Sequence, residues 1–276
     1  KNYNRYSYFR ICEESKLMGL NSPQYNLMYK ACLKASKVLI RDFGEIEKLQ
    51  VSEKGPGDFV TASDKRVEKI LINELEKTEY SLLTEESGFI KGKDKNKRWI
   101  IDPIDGTFNF LNGLPHFAIS VAYEENGEVI SGIIFDPIKN EMFFAEKGNG
   151  AFLNNSRIRV SNKSDFQNSC LVTGGPNSRS KKKETVLEEY KRLSLKTLAH
   201  IRKSGSAALD MAYVGAGRYD GYWQRELNYW DIAAGIIIVK ESGGFVENKK
   251  YEEFGKEKVD IIATNSKIHK ELINLL

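Results

Sequence analysis

Three cysteines and three histidines in 276 residues are too few for a disulfide framework or a zinc pattern. Cys12, Cys32 and Cys170 lie far apart, and their expected state is reduced, with two of them in apolar patterns as core thiols. No run approaches the roughly 18 consecutive apolar residues of a membrane span. Residues 1–20 are polar and tyrosine-rich and carry no secretory apolar core, so the expected location is cytoplasmic. Charge of one sign is also scarce. The net +4, from 42 basic and 38 acidic residues, is too small to argue for nucleic acid. There is no G-x-S-x-G, H-E-x-x-H or P-loop, hence no signature of a lone nucleophile, a zinc protease or a nucleotide cradle. What remains, 41% apolar and 29% charged, is ordinary for a globular protein of one large or two intimate domains.

Punctuation along the chain divides it. Residues 1–21 read as an extension. Ser22-Pro23 signals a helix start, and Leu27, Met28, Ala31, Cys32, Ala35, Val38 and Leu39 follow at helical spacing. Residues 54–58 read as a loop, and a second helix is expected over about 64–77. The period then changes to short apolar or alternating runs over 80–84, 99–101, 117–123, 129–135 and 141–145, a strand-rich middle. Beyond 160, strands are expected at 169–173, 219–223 and 259–264, and helices at 184–198, 206–215, 231–242 and 267–276. That alternation implies an α/β layer. The expected organisation is therefore an extension (1–21), a helix pair with a mainly antiparallel sheet (22–160), and an alternating α/β part (161–276), in one globular unit. The basic run Arg179-Ser180-Lys181-Lys182-Lys183 reads as a solvated loop.

The sharpest segment is WIIDPIDGTFNF, residues 99–110. An apolar strand ends in Asp102, Pro103 stops the ladder because it has no N–H to give, and Asp105 follows before Gly106-Thr107. Two carboxylates beside an apolar run repel each other, and burial raises their pKa. A divalent cation removes both penalties, and hard oxygen ligands suit Mg2+. Alone, the segment also reads as a turn in which the aspartates cap backbone amides. Further acidic signals stand at comparable places: Glu85-Glu86-Ser87-Gly88 after a strand, and Asp231 at a helix start, where an aspartate is normally the N-cap. Asp64, in Thr61-Ala62-Ser63-Asp64, also reads as a helix cap.

The segments GDFVTASD (57–64), TEESG (84–88), 99–110 and WDIAAG (230–235) occur in the order and spacing of the inositol monophosphatase family. The chain resembles that family over residues 23–276. RKSGSAALD (202–210) and Ala216-Gly217-Arg218 resemble its bacterial branch. The resemblance implies a layered α/β/α/β/α sandwich within the α/β (α+β) class, hydrolysis of a small phosphorylated alcohol, two to three Mg2+ ions and a homodimer.

Carried over residue by residue, it implies that Glu85, Asp102 and the Ile104 carbonyl hold one ion, and that Asp102, Asp105 and Asp231 hold a second. A weaker third ion would use Glu85. Glu85 and a Thr107–Asp64 pair would activate water, while the Gly106 and Thr107 amides would bind phosphate. Gly205, Ser206, Ala207, Gln224 and Asp231 would line the alcohol. Gln224 is a departure, because the family usually has a glutamate there, and Glu226 lies two positions on. Lys54 would lie near the site. His116, His200 and His269 match no catalytic position and read as surface or packing residues. Inositol 1-phosphate leads the substrates, ahead of adenosine 3′,5′-bisphosphate, fructose 1,6-bisphosphate and histidinol phosphate. Lithium sensitivity is implied too. Some bacterial relatives act through RNA polymerase or ribosomal RNA processing, which the net charge permits without arguing for it.

Overall fold

The computed structural model describes residues 22–45, 51–55, 58–175, 181–249 and 258–276, with backbone alone for 51–55, 58–60 and 248–249. The expected extension over 1–21, the Lys54 side chain and the first part of the 179–183 run lie outside the described residues.

Helix α1, Pro23–Phe43, begins as the sequence predicts. Ser22 Oγ accepts from Tyr25 N at 3.1 Å, and Pro23 occupies the first turn, where no N–H is needed. Met28, Ala31, Cys32, Ala35 and Leu39 form its buried stripe. The 54–58 loop belongs to an antiparallel hairpin of β1, Val51–Gly55, and β2, Asp58–Thr61. A stretch with two glycines and a proline reads as turn chemistry, which hides the strands on either side. Helix α2 runs Ala62–Leu75.

An eight-stranded sheet follows. Its strands are β3 (Tyr80–Thr84), β4 (Gly88–Ile90), β5 (Asp94–Asp105), β6 (Ala118–Glu125), β7 (Glu128–Asp136), β8 (Glu141–Glu146), β9 (Gly150–Leu153) and β10 (Ser156–Ile158). They lie in the order β10-β9-β8-β7-β6-β5-β3-β4, and only β3 and β5 pair in parallel. The second sheet holds β11 (Cys170–Thr173), β12 (His200–Arg202), β13 (Gly221–Leu227), β14 (Phe245–Lys249) and β15 (Val259–Thr264), ordered β12-β11-β13-β15-β14.

The remaining helices are α3 (Thr107–Leu111), α4 (Lys183–Lys196), α5 (Ala207–Gly215), α6 (Tyr229–Glu241) and α7 (His269–Leu275). Three cores set the layers. Helices α1 and α2 cover one face of the large sheet through Met28, Leu71, Trp99 and Phe135. Helices α5 and α6 lie between the sheets, with Met211, Ile232 and Ile238 against Ile134 and Tyr222. Leu193 of α4 and Leu272 of α7 pack on Trp223 and Ile262 outside the small sheet. The result is the α/β/α/β/α sandwich that the resemblance implies. Helix α6 is apolar almost all round because it is buried on every side. It comes so close to β7 that a Cβ on Gly132 would lie 2.8 Å from Ala234 Cα.

Candidate metal-assisted hydrolytic site

Strands β3 and β5 run side by side and end at one edge, with Thr84 opposite Ile101. Glu85 N donates to Ile101 O at 3.2 Å, so Glu85 and Asp102 leave the sheet as neighbours. Pro103 interrupts the β5 ladder rather than ending it. Asp102 pairs with Ser120 and Asp105 with Ala118, so three steps on β5 face two on β6. This is a bulge, the usual accommodation of a residue that cannot donate. Ile104 N donates to Asp102 Oδ1 at 3.0 Å, the local turn that the isolated motif also suggests. Gly106 then turns the chain at φ +97, where a side chain is strained. Thr107, the first residue of α3, places its Oγ1 2.9 Å from Ile104 O and 3.2 Å from Asp64 Oδ1.

Asp64 is not the N-cap of α2. Thr61 is, and Asp64 at N3 accepts from Thr61 N at 2.7 Å in a capping box. It therefore caps and reaches Thr107 with its two oxygens. Asp231 corrects the reading in the same way. Asn228 is the N-cap of α6, and Asp231 at N3 accepts from Asn228 N at 2.8 Å. Tyr229 fixes that first turn to the large sheet through its hydroxyl, 2.8 Å from Glu124 Oε2.

The α5 N-terminus closes the site. Ser206, its N-cap, donates from Oγ to Asp105 Oδ2, and Ala208 N donates to the same oxygen at 2.8 Å. Ala207 N also faces this carboxylate. Asn109 clamps the two segments, because its Nδ2 donates to Ser204 O and to His116 O, each at 2.8 Å. Gly205 is required here: φ is +91 and a Cβ would stand 2.9 Å from the Asn109 amide. Gln224 lies against Gly174, and Tyr222 Oη donates to its Oε1 at 2.8 Å.

Burial and mutual repulsion then act together. Asp102, 2% exposed, is pushed well above the ordinary carboxylate range by burial and then by Glu85, Asp105 and Asp231. Burial raises Asp105 to about 6, against the hydrogen bonds from Ser206, Ala208 and Ala207. Burial and the Asp105 charge raise Asp231 to about 7. Asp64 is raised by burial. Among the described residues no three of these groups stand in ready ligating geometry. Uncompensated carboxylates hold apart or share protons, as Asp102 does in its hydrogen bond with Glu85. Glu85, Asp102, Asp105 and Asp231, with burial raising the three aspartates and neighbouring carboxylates adding to it at Asp102 and Asp231, are a donor set that fits a hard divalent cation.

A model described as the inositol monophosphatase family matches residues 20–276. The chain belongs to the inositol monophosphatase family. It is 44% identical over 249 residues to an inositol-1-monophosphatase of Rhizobium meliloti, covering 90% of this chain and 93% of that one. It is 39% identical over 255 residues to a Nus factor SuhB of Haemophilus influenzae, covering 92% and 95%. Among solved structures, the extragenic suppressor protein suhB from Bartonella henselae superposes with a TM-score of 0.85 at 43% identity, covering 92% and 98%. By family the protein is a phosphoric monoester hydrolase.

Other expected residues stand elsewhere in this family member. Glu226 sits at φ +57 within the register shift of β13 between Gln224 and Leu227 and accepts from Lys182 N at 3.4 Å. Lys182 pairs with Asp260 at 2.6 Å. His269 Nδ1 is 2.7 Å from Thr264 Oγ1, and His200 is exposed on β12. His116 is half-buried, packs edge-on to Tyr213 and is lowered to about 4 by burial and by Lys139, so its ring is neutral. Residue order alone misses Asn109, Tyr222 and Asp210. Asp210 is 1% exposed, bonded to Ser204 Oγ, and raised by burial and, in part, by Asp105. Its position one turn into α5, after Ser206, is the one local signal.

Proposed function

We propose that this protein hydrolyses a small phosphate monoester, with inositol 1-phosphate the leading substrate, in a Mg2+-dependent reaction. The observation that supports this reading is the convergence of Glu85, Asp102, Asp105 and Asp231, where neighbouring carboxylates raise Asp102 and Asp231 above the ordinary range. Glu85, Asp102, Asp105, Asp231 and the Ile104 carbonyl would hold two to three Mg2+ ions. Bound there, Mg2+ neutralises charge on phosphate and leaving group and makes a coordinated water acidic.

The chain's own groups do the rest. Thr107 has one hydroxyl proton and two acceptors in reach, Ile104 O and Asp64 Oδ1. Giving it to Asp64 frees the Ile104 carbonyl as a ligand and turns a Thr107 lone pair toward the attacking water. That water is thereby oriented, and as it gives a proton to Thr107 Oγ1 the Thr107 hydroxyl proton passes to Asp64 Oδ1. The amides of Gly106 and Thr107, at the turn into α3, suit phosphate oxygens. Gly205, Ser206, Ala207 and Gln224 border the alcohol, with Ser206 already bonded to Asp105.

A second reading, association with RNA polymerase or ribosomal RNA processing, is favoured by relatives that carry the name Nus factor SuhB. Both readings apply to a cytoplasmic homodimer, which sedimentation of the purified protein would test. The deciding experiment is phosphate release from inositol 1-phosphate, adenosine 3′,5′-bisphosphate and fructose 1,6-bisphosphate, with Mg2+ and with EDTA, and with Li+ added. Turnover with Mg2+ alone, strongest on inositol 1-phosphate, is the expected result. Preference for another ester moves the substrate assignment, and no turnover on any of them sinks the hydrolytic reading for these esters and brings the interaction role forward.

A further inference from the structure

Asp64 and Glu68 stand one turn apart on one side of α2, 0% and 3% exposed. Each carboxylate reaches the end of a different strand. Asp64 reaches Thr107, just beyond β5. Glu68 reaches the turn beyond β3, where Oε2 accepts from Glu86 N at 2.9 Å and Oε1 accepts from Ser87 Oγ. Ser87 N in turn donates to Thr84 Oγ1 at 3.2 Å. The backbone at 85–86 is therefore held on both sides, by Ile101 O on the Glu85 amide and by Glu68 on the Glu86 amide. With the peptide plane fixed, the Glu85 side chain is committed to the side where Asp102 stands. A carboxylate is all acceptor, so it can take both donors at once.

We propose that Glu68 is a positioning residue that aims Glu85 into the cation site by gripping the Glu86 amide and the Ser87 hydroxyl. This rests on the metal-dependent reading above. Helix α2 then serves both halves of the chemistry from adjacent turns: Asp64 orients the hydroxyl beside the reacting water, and Glu68 orients a cation ligand. Groups that hold metal ligands in place typically change metal affinity by about 10- to 100-fold when removed.

The test is Mn2+ binding to the metal-stripped full chain by calorimetry, alongside thermal unfolding in EDTA and the Mg2+ dependence of phosphate release. Glu68→Ala is expected to weaken Mn2+ binding by about tenfold or more. Glu68→Gln is expected to stay close to wild type. Its oxygen still accepts from the Glu86 amide, and its NH2 donates to Ser87 Oγ, which can turn to accept. Ser87→Ala, on an exposed turn, removes one half of the grip without touching the core and is expected to give a smaller loss. It decides the matter if Glu68→Ala does not fold. Unchanged Mn2+ affinity in the alanine variants overturns the proposal, as does a Gln variant that binds as poorly as Ala, since charge and not grip would then be the cause. A wild-type chain that binds no Mn2+ overturns it too. A wild type that binds Mn2+ but cleaves none of the three esters overturns the hydrolytic reading instead, while the variant affinities still judge Glu68.

Discussion

Thr107 Oγ1 and Asp64 Oδ1 lie 3.2 Å apart, although 43 positions separate them in sequence. The pair joins the start of α3 to the first turn of α2, so a hydroxyl of the β5 edge answers to a carboxylate on a different element. A Thr107→Val variant keeps the shape and removes the hydroxyl on which the proposed proton relay depends. Its kcat for phosphate release is expected to fall about 10²- to 10⁴-fold, the usual range for a lost acid–base contribution. Thr107→Ser is expected to keep most of the rate. Equal rates for Val and wild type would remove Thr107 from the mechanism.

The carboxylate cluster sets a pH dependence for the chelated protein. Asp105 and Asp231 rise from the ordinary 3.8 to about 6 and about 7 in the fold. The folded state therefore binds more protons than the unfolded one between pH ~4 and ~7, and stability falls as pH rises through that window. Asp42 and Glu141 are held below the ordinary range, Glu141 chiefly by Arg218 and Asp42 by Arg66, Ser63 and Arg41 against the cost of burial. Their contribution is present above their unfolded values and is lost only under more acidic conditions. In EDTA, Tm is expected to decline from about pH 5 to pH 7.5, and Mg2+ is expected to abolish the decline. A flat EDTA profile would contradict the clustering.

Asp105→Asn separates chemistry from fold. The amide oxygen can still accept from Ser206 Oγ and Ala208 N, so thermal unfolding in EDTA should not deteriorate. Phosphate release should drop by about 10²-fold or more, because the proposed metal site would lose one charged ligand. Survival of a cellular phenotype in this variant would separate an interaction role from turnover.

Asn109 is a structural clamp whose loss is measurable without substrate. Asn109→Ala leaves His116 O and Ser204 O without their 2.8 Å donors. Urea unfolding is expected to show a net loss of about 0.5–1.5 kcal/mol for each of these part-buried hydrogen bonds.

Arg225 and Glu189, with side chains 8% and 2% exposed, form an ion pair at 2.6 Å between β13 and α4. Arg225→Met leaves Glu189 buried and uncompensated, and a destabilisation of about 3–5 kcal/mol is expected from denaturant curves. The double variant with Glu189→Leu should recover much of it.

Local signals carried far in this chain. The strands at 80–84 and 259–264 and the Ser22-Pro23 helix start are where patterning and punctuation put them. β12 and β14 went unread because short edge strands have little apolar alternation: His200 and Arg202 are exposed, and so is Phe245. Alone, the acidic motif at 102–105 reads equally as a capping turn; it gains weight from Glu85 and Asp231 at comparable strand-end and helix-start positions, and the family resemblance supplies the grouping of all of them. Asn109, Glu68 and Tyr222 were silent because their significance depends on partners brought close only by the folded sheets. The two N3 aspartates show the limit of propensity: Asp64 and Asp231 look like caps, act within capping boxes, and face the site as well.

The bulge in β5 has a further meaning as a matter of parity. Side chains three apart in a regular strand leave on opposite faces. Asp102 and Asp105 are three apart, yet their partners Ser120 and Ala118 are two apart, so the aspartates leave on the same face. A plain D-x-D strand would achieve that too, but without an extra residue between the two. The odd residue leaves Ile104 without a partner residue on β6, and its oxygen accepts from Thr107 Oγ1. One surplus position thus turns an edge with two acidic side chains into an edge with three oxygen-bearing groups of two kinds, without adding a third negative charge.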